Sequence, residues 1–421
     1  NRDEKEKVGQ KVYSIANNEE IGTAIFDDPT NVKSALENFA SEKWSKYSVQ
    51  ERSQILIKIS DDIEKDPSEL IFYLLNEAGK TIQNAIDEIR EAIDFLRYYS
   101  RQIIEIHGKK SLQGPTGEIN KISYSPKGNY LCISPWNFPV AILIGQISAA
   151  LACGNNVVVK PSENTSILGY LIVKKFHENG VPIETLQLIL GDGMYGDVLT
   201  KVNTIHGVAF TGSLPTAKKI QTNLIQHHKE IVPLIAETGG INAMIVDSSA
   251  LLEQVTDDVV RSAFDSAGQR CSALRVLCIQ EEIYDELIEM IKGNMEIQEI
   301  GDPNNFSTDI GPIINKHALQ KLNDYIKGCK DQGMEVHNCN NSLKETHMSP
   351  TIIEIDNISA IQEEQFGPIL HVMKYKFDDM NSVINQINES GYGLTMGIHT
   401  RIESRADFIG CLLYTSPSPR D

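Results

Sequence analysis

Through the first hundred residues, apolar side chains recur at three- and four-residue intervals, the period of a helix with one buried face. Ser48-Val49-Gln50-Glu51 has the form of a capping box, and Leu56, Ile59 and Ile63 follow at helical spacing. After a break at Gly79, the run Ile82, Ala85, Ile86, Ile89, Ile93 and Leu96 predicts a longer helix. The whole N-terminal region is therefore expected to be helical. From Asn129 the pattern changes to short apolar runs, at 130–134, 156–160, 186–190, 208–210 and 234–236. Helical patterns separate them, which predicts a parallel sheet with helices on both faces. A second alternating set, near 243–246, 275–279, 351–355 and 369–374, predicts a second α/β domain. Residues 118–124 alternate and predict a small hairpin near 117–125. There is no internal repeat. After Gly410 the periodicity stops, and residues 411–421, with two prolines, are expected to form a poorly packed, disordered tail.

Composition narrows the classes. A chain of 421 residues with 41% hydrophobic and 23% charged positions suits a two- or three-domain globular protein. A formal charge of −18 argues against nucleic acid or an anionic membrane as partner. No apolar run approaches the roughly 20 residues of a spanning helix. No signal peptide opens the chain, although it begins at Asn1 rather than Met, so sequence upstream is expected. The seven cysteines are scattered, with no Cys-x-x-Cys pair and no Cys/His cluster. A reducing, cytoplasmic compartment without a metal site is the expectation.

Two segments carry the chemistry. Cys271, in Gly268-Gln269-Arg270-Cys271-Ser272-Ala273-Leu274, lies 34 residues after Glu237 in Ala236-Glu237-Thr238-Gly239-Gly240. A thiolate that adds to a carbonyl, and a carboxylate that activates water to hydrolyse the resulting thioester, are what aldehyde oxidation to an acid requires. An isolated cysteine is more often a buried small hydrophobe, the role expected of Cys278. An isolated glutamate is more often surface charge, but Glu237 follows an apolar run and falls at a strand end, where open α/β sheets carry sites. Glu163, just past a predicted strand, can bind ribose hydroxyls and would repel a 2′-phosphate. Gly191-Asp192-Gly193-Met194-Tyr195-Gly196 matches G-x-G-x-x-G, a weak signal alone that is expected mainly to form turns.

The Cys271 and Glu237 segments resemble the aldehyde dehydrogenase superfamily. Residues 77–81, 84–99, 234–249, 262–279 and 390–401 are similar to the L-glutamate γ-semialdehyde (Δ1-pyrroline-5-carboxylate) dehydrogenase half of bifunctional proline-utilization A proteins. The similarity runs from about residue 26 to 401. It implies an α/β, aldehyde-dehydrogenase-like fold with two Rossmann-like domains, 1–236 binding NAD and 237–410 catalytic, and a small oligomerisation hairpin. It also implies NAD-dependent oxidation of that semialdehyde to L-glutamate through a thiohemiacetal and thioester on Cys271. In the family resembled, the amide at Asn137 helps hold the oxyanion and Phe138 lines the aldehyde entrance. The resemblance assigns the cofactor to Ser134, Pro135, Trp136, Lys160, Ser162, Glu163, Gly193, Phe210, Thr211, Gly212, Ser213, Thr238, Gly239, Glu364 and Phe366. Within that set, Phe210-Thr211-Gly212-Ser213 rather than the 191–196 glycines receives the dinucleotide, with Ser213 at a helix N-terminus. Arg270 and Ser272 are assigned to substrate, Ser272 at its α-carboxylate. The resemblance further implies a homodimer for the full-length protein and a proline dehydrogenase domain upstream. A substrate loop and a closing strand are expected after Gly410, and this chain lacks both, so a monomeric or unstable chain of low activity is expected. The alternatives are another acidic semialdehyde, such as N-succinylglutamate semialdehyde, or a truncated inactive fragment. A coenzyme-A-acylating enzyme is disfavoured because Glu237 supplies the hydrolytic base.

Overall fold

Ser48 starts the first long helix for local reasons. Its hydroxyl accepts the Glu51 backbone N–H at 3.2 Å, and the Glu51 carboxylate accepts the Ser48 N–H at 2.7 Å, closing a reciprocal cap on Val49–Lys65. The computed structural model describes residues 9–26, 32, 36, 39, 42–107, 110–339 and 346–413. They fall into two units, residues 1–14, 18–78 and 83–238 in the first, and 15–17, 79–82 and 239–421 in the second.

In the first unit, β1 (Gly9–Tyr13) and β2 (Glu20–Ile25) form an antiparallel hairpin. This corrects the all-helical expectation for the N-terminal region. Most side chains of the hairpin are exposed or half-buried, so no apolar alternation announces it. The helices Val49–Lys65, Ser68–Asn76 and Ile82–His107 follow. Ile86, expected on the apolar face, is exposed. The alternating segment pairs as β4 (Asn120–Ile122) against β3 (Lys110–Leu112). Next come β5 (Asn129–Ile133), β6 (Asn156–Lys160), β7 (Leu186–Leu188), β8 (Ile205–Gly212) and β9 (Leu234–Thr238), all parallel, in the order β7-β6-β5-β8-β9. Chain order reverses at β5, and a doubly wound sheet binds ligands beyond the carboxyl ends of its strands at such a switch point.

In the second unit, β10 (Asn242–Val246), β11 (Leu274–Gln280), β12 (Val336–Asn338), β13 (Thr351–Glu354), β14 (Ile369–Tyr375) and β15 (Met396–His399) form one sheet. Its order is β12-β13-β14-β11-β10-β15, parallel except for β12. β10 and β11 are buried at every position, as central strands covered on both faces must be. The last helix, Glu403–Leu412, runs past Gly410. Ile409 and Leu413, one helical turn apart, are buried in this unit's core, and Asn388 donates to the Leu412 carbonyl at 2.9 Å. The expected tail boundary at 411 is therefore too early; residues 414–421 lie outside the described residues.

Candidate active site

The first unit presents its chemistry at the carboxyl ends of β5, β6, β8 and β9. Register sets Ile133 against both Lys160 and Phe210, and Phe210 against Ala236. The residues following each therefore leave from one edge of the sheet, and Glu237 pairs with Thr211 and Thr238 with Gly212. Ser134 through Pro139 lead from β5 into the helix Ala141–Ala152. Asn137 is buried, and its amide makes no hydrogen bond to another described residue. What fixes this turn is Glu88, itself buried, whose carboxylate accepts the N–H groups of Val140 at 2.8 Å and Ala141 at 3.2 Å. Such a carboxylate satisfies helix-start donors that have no partner within the helix.

Beyond β6, the buried Lys160 ammonium lies 3.4 Å from the carboxylate of the exposed Glu163, and burial holds that ammonium below the ordinary lysine range. Ser162 accepts the Asn164 N–H at 3.3 Å. A second buried glutamate anchors the helix that follows, Ser166–Glu178, since Glu77 accepts the Ile167 and Leu168 N–H groups at 2.8 and 2.9 Å. Burial pushes the Glu77 carboxyl up to about 7, against those hydrogen bonds, which pull it down.

Gly191, Gly193 and Gly196 all have ordinary negative φ. Only Gly191 is required sterically, because a Cβ there would meet the Tyr195 ring at 2.2 Å. Asp192 caps the short helix Gly193–Leu199. Ser213 instead begins a helix of 14 residues, Leu214–His227, with its hydroxyl 2.9 Å from that of Thr216. The half-buried Glu237 carboxylate has no hydrogen bond or ion pair among the described residues. The buried Ser134 hydroxyl also lacks a partner there. An exposed carboxylate beside a lysine, a helix N-terminus and an unpaired buried hydroxyl at one sheet edge fit a dinucleotide.

The second unit places its candidates at the amino ends of its strands. Gly239 precedes β10, Cys271 and Ser272 precede β11, and Glu364 and Phe366 precede β14. Three successive residues in the left-handed region, Ser266, Ala267 and Gly268, turn the chain toward Cys271. At Gly268 a Cβ would sit 2.1 Å from the Gly367 carbonyl, so only glycine fits there. Cys271 is half-buried, whereas Cys278 is fully buried and burial pushes its thiol up to about 12.

Three side chains outside the expected set hold the Cys271 loop. Asn242 donates to the carbonyls of Cys271 at 2.7 Å and Ala273 at 2.9 Å, and accepts the Thr395 N–H at 3.1 Å. Gln269 donates to Pro312 O at 3.1 Å and accepts the Ile314 N–H at 2.9 Å. Arg275 donates to Arg270 O at 3.1 Å. Asn242 and Arg275 show in the sequence only as polar residues within apolar strands, and Gln269, between Gly268 and Arg270, carries no such mark. Arg270, assigned to substrate, is ion-paired with Asp265 at 2.7 Å and donates to Ser266 Oγ at 3.1 Å. Ser272 is exposed, and its carbonyl lies 3.5 Å from Thr395 Oγ1.

The sequence model of the aldehyde dehydrogenase family matches residues 2–410. The chain belongs to the aldehyde dehydrogenase family. It is 43% identical over 389 residues to the bifunctional protein PutA of Escherichia coli K12, covering 89% of this chain and 29% of PutA. It thus spans less than a third of that relative's length. A 1-pyrroline-5-carboxylate dehydrogenase of Geobacillus kaustophilus is 33% identical over 377 residues, 88% of this chain and 72% of that protein. The crystal structure of proline utilization A from Bradyrhizobium japonicum (mutant D779Y) superposes with a TM-score of 0.90 at 41% identity, over 93% of this chain and 40% of that one. An aldehyde dehydrogenase from Brucella melitensis, at 24% identity, shares the fold with a TM-score of 0.91. Aldehyde dehydrogenases generally use NAD or NADP, the class of cofactor that fits the first unit's sheet edge. No helix among the described residues is long and apolar enough to cross a membrane.

Proposed function

We propose that this aldehyde dehydrogenase oxidises L-glutamate γ-semialdehyde, the open form of Δ1-pyrroline-5-carboxylate, to L-glutamate with NAD. Cys271 Sγ, as thiolate, adds to the aldehyde carbon, and the Asn137 amide and the Cys271 backbone N–H stabilise the oxyanion. NAD, when bound, would supply the acceptor for the hydride that leaves the adduct's carbon, and the acyl group would then remain on Cys271 as a thioester. Glu237 takes a proton from water as the water oxygen attacks that thioester, and collapse of the adduct expels the Cys271 thiolate and releases glutamate. Lys160 and Glu163 would hold the adenosine ribose, Ser213 a phosphate, and Glu364 with Phe366 the nicotinamide end, while Ser272 and Arg270 would serve the substrate side.

The observation that carries the chemistry is the Cys271 loop: a half-buried thiol whose own carbonyl is gripped by Asn242, on a turn where only glycine fits at 268. The substrate is supported by relatives named for pyrroline-5-carboxylate oxidation. The bifunctional relatives, and the exposed Leu112, Ile119 and Tyr124 on the β3–β4 hairpin, support a cytoplasmic homodimer of the whole protein with a proline dehydrogenase domain upstream.

The test is a steady-state comparison of glutamate γ-semialdehyde, N-succinylglutamate semialdehyde and propanal on the parent and on Cys271→Ala. The first aldehyde should have the highest kcat/KM. Cys271→Ala should lose at least ~10³-fold in rate while NAD binding persists. Preference for the succinylated aldehyde would contradict the substrate, and near-parental turnover by Cys271→Ala would contradict the nucleophile.

A further inference from the structure

Arg275 is out of place by every elementary rule. It is the second residue of β11, a strand buried at all seven positions, and its side chain is 1% exposed. Burying a guanidinium costs several kcal/mol unless partners compensate, and a small apolar side chain would serve the strand as well. Its partners are specific. Nη1 donates to Gly367 O at 3.1 Å, and Nη2 donates to Arg270 O at 3.1 Å and to Glu364 Oε1 at 3.1 Å. The guanidinium carbon stands 5.4 Å from the centre of the Phe366 ring. Behind it, the Arg275 carbonyl accepts from His371 Nδ1 at 3.0 Å, and the other nitrogen of that imidazole is 2.8 Å from the Tyr325 hydroxyl. The guanidinium thus stands on a fixed base.

On its far side, Glu364 is held just as closely. A Cβ on Gly239 would lie 1.6 Å from Glu364 Oε2, and the nearby Gly240 N–H lowers the proton affinity of the same carboxylate. Burial pushes the Glu364 carboxyl above its usual range, and Arg275 opposes that push.

We propose that Arg275 is a positioning residue that sets Glu364 and Phe366 for the nicotinamide end of the cofactor and, through Arg270 O, sets the loop of Cys271. This rests on the proposed function. One planar fork serves acceptors on two segments, 270 and 364–367, so cofactor grip and nucleophile placement share a support. A lysine, with a single nitrogen, cannot span them.

The experiment measures NAD affinity by calorimetry and the iodoacetamide alkylation rate of Cys271. The proteins are the parent, Arg275→Lys, Arg275→Met, Glu364→Gln and the Arg275→Met/Glu364→Gln double variant, with thermal unfolding as the check on folding. Arg275→Met should weaken NAD binding by about tenfold or more, the effect of a lost charge-assisted bond. The double variant should bind no more weakly than the worse single one, because Arg275 acts through Glu364. Alkylation should change in Arg275→Met but not in Glu364→Gln. If Arg275→Met does not fold, Arg275→Lys must still weaken NAD binding several-fold with its unfolding midpoint near the parent's. The proposal is overturned if Arg275→Lys and Arg275→Met bind NAD within twofold of the parent, or if the two losses multiply in the double variant. A parent that binds NAD but oxidises no aldehyde overturns the proposed function alone. Parental activity with indifferent Arg275 variants overturns this inference alone.

Discussion

Cys278 lies seven positions after Cys271, yet one thiol is half-buried on a loop and the other is sealed in a central strand. Local sequence distinguishes them, because one follows Gly-Gln-Arg and the other sits within an apolar run. It does not disclose Asn242 or Arg275, whose partners are 29 and 89 residues away. Contacts at such separations leave only a polar letter in an apolar segment. At this scale Glu163 carries a prediction about cofactor choice. Replacing Glu163 by Gln removes the charge that would repel a 2′-phosphate. The NADP/NAD ratio of kcat/KM should rise by about tenfold, the equivalent of ~1.4 kcal/mol. An unchanged ratio would place ribose selection on another residue.

The main strands were legible as apolar runs bounded by turns. Less legible were elements whose faces are not clearly two-sided: the exposed β1–β2 hairpin, the antiparallel β12, and β15 at the sheet edge. The direction of the sheet was only half informative. In the first unit the candidates stand at the carboxyl ends of strands, as the rule for doubly wound sheets anticipates. In the second they stand at the amino ends, where that rule gives no guidance. Among helices, the start at Ala141 depends on a residue 53 positions earlier, Glu88. Glu88→Ala leaves two backbone N–H groups without their acceptor and should cost about 2–4 kcal/mol of stability. It should also slow the first-turnover appearance of NADH at least ~10-fold by loosening the Asn137 turn, with little change in KM for NAD. Glu88→Gln, which keeps an acceptor oxygen, should fall between. Parental kinetics in Glu88→Ala, measured by stopped flow, would separate this helix start from the chemistry.

Across the whole molecule, buried carboxyls give stability a dependence on pH that the net charge of −18 does not reveal. Glu77 has its proton affinity raised to about 7 by burial. A carboxyl whose folded value lies above its unfolded value stabilises the fold fully below the unfolded value, and that contribution is lost as pH rises through the folded one. The window is therefore from about pH 4.5 to about pH 7. Glu77→Gln, which cannot ionise, should gain stability relative to the parent across it, by at most about 3 kcal/mol. Denaturant midpoints of both proteins at pH 5 and pH 8 measure this, and a stability difference independent of pH would show that Glu77 keeps its charge in the fold. The fold class was legible because alternation of strand and helix recurs along most of the chain. The tail boundary falls too early in the sequence because Ile409 and Leu413, although one turn apart, are followed by a proline-containing stretch that masks them.

The central claim is that one thiol carries the acyl group and one carboxylate releases it. Glu237→Gln separates these steps, so the decisive measurement is its NADH formation in the first turnover, followed by intact-protein mass spectrometry. The account predicts a fast burst stoichiometric with enzyme, slow turnover afterwards, and a glutamyl adduct that maps to Cys271. Absence of both burst and adduct from a folded Glu237→Gln protein, or steady turnover at the parental rate, would contradict it.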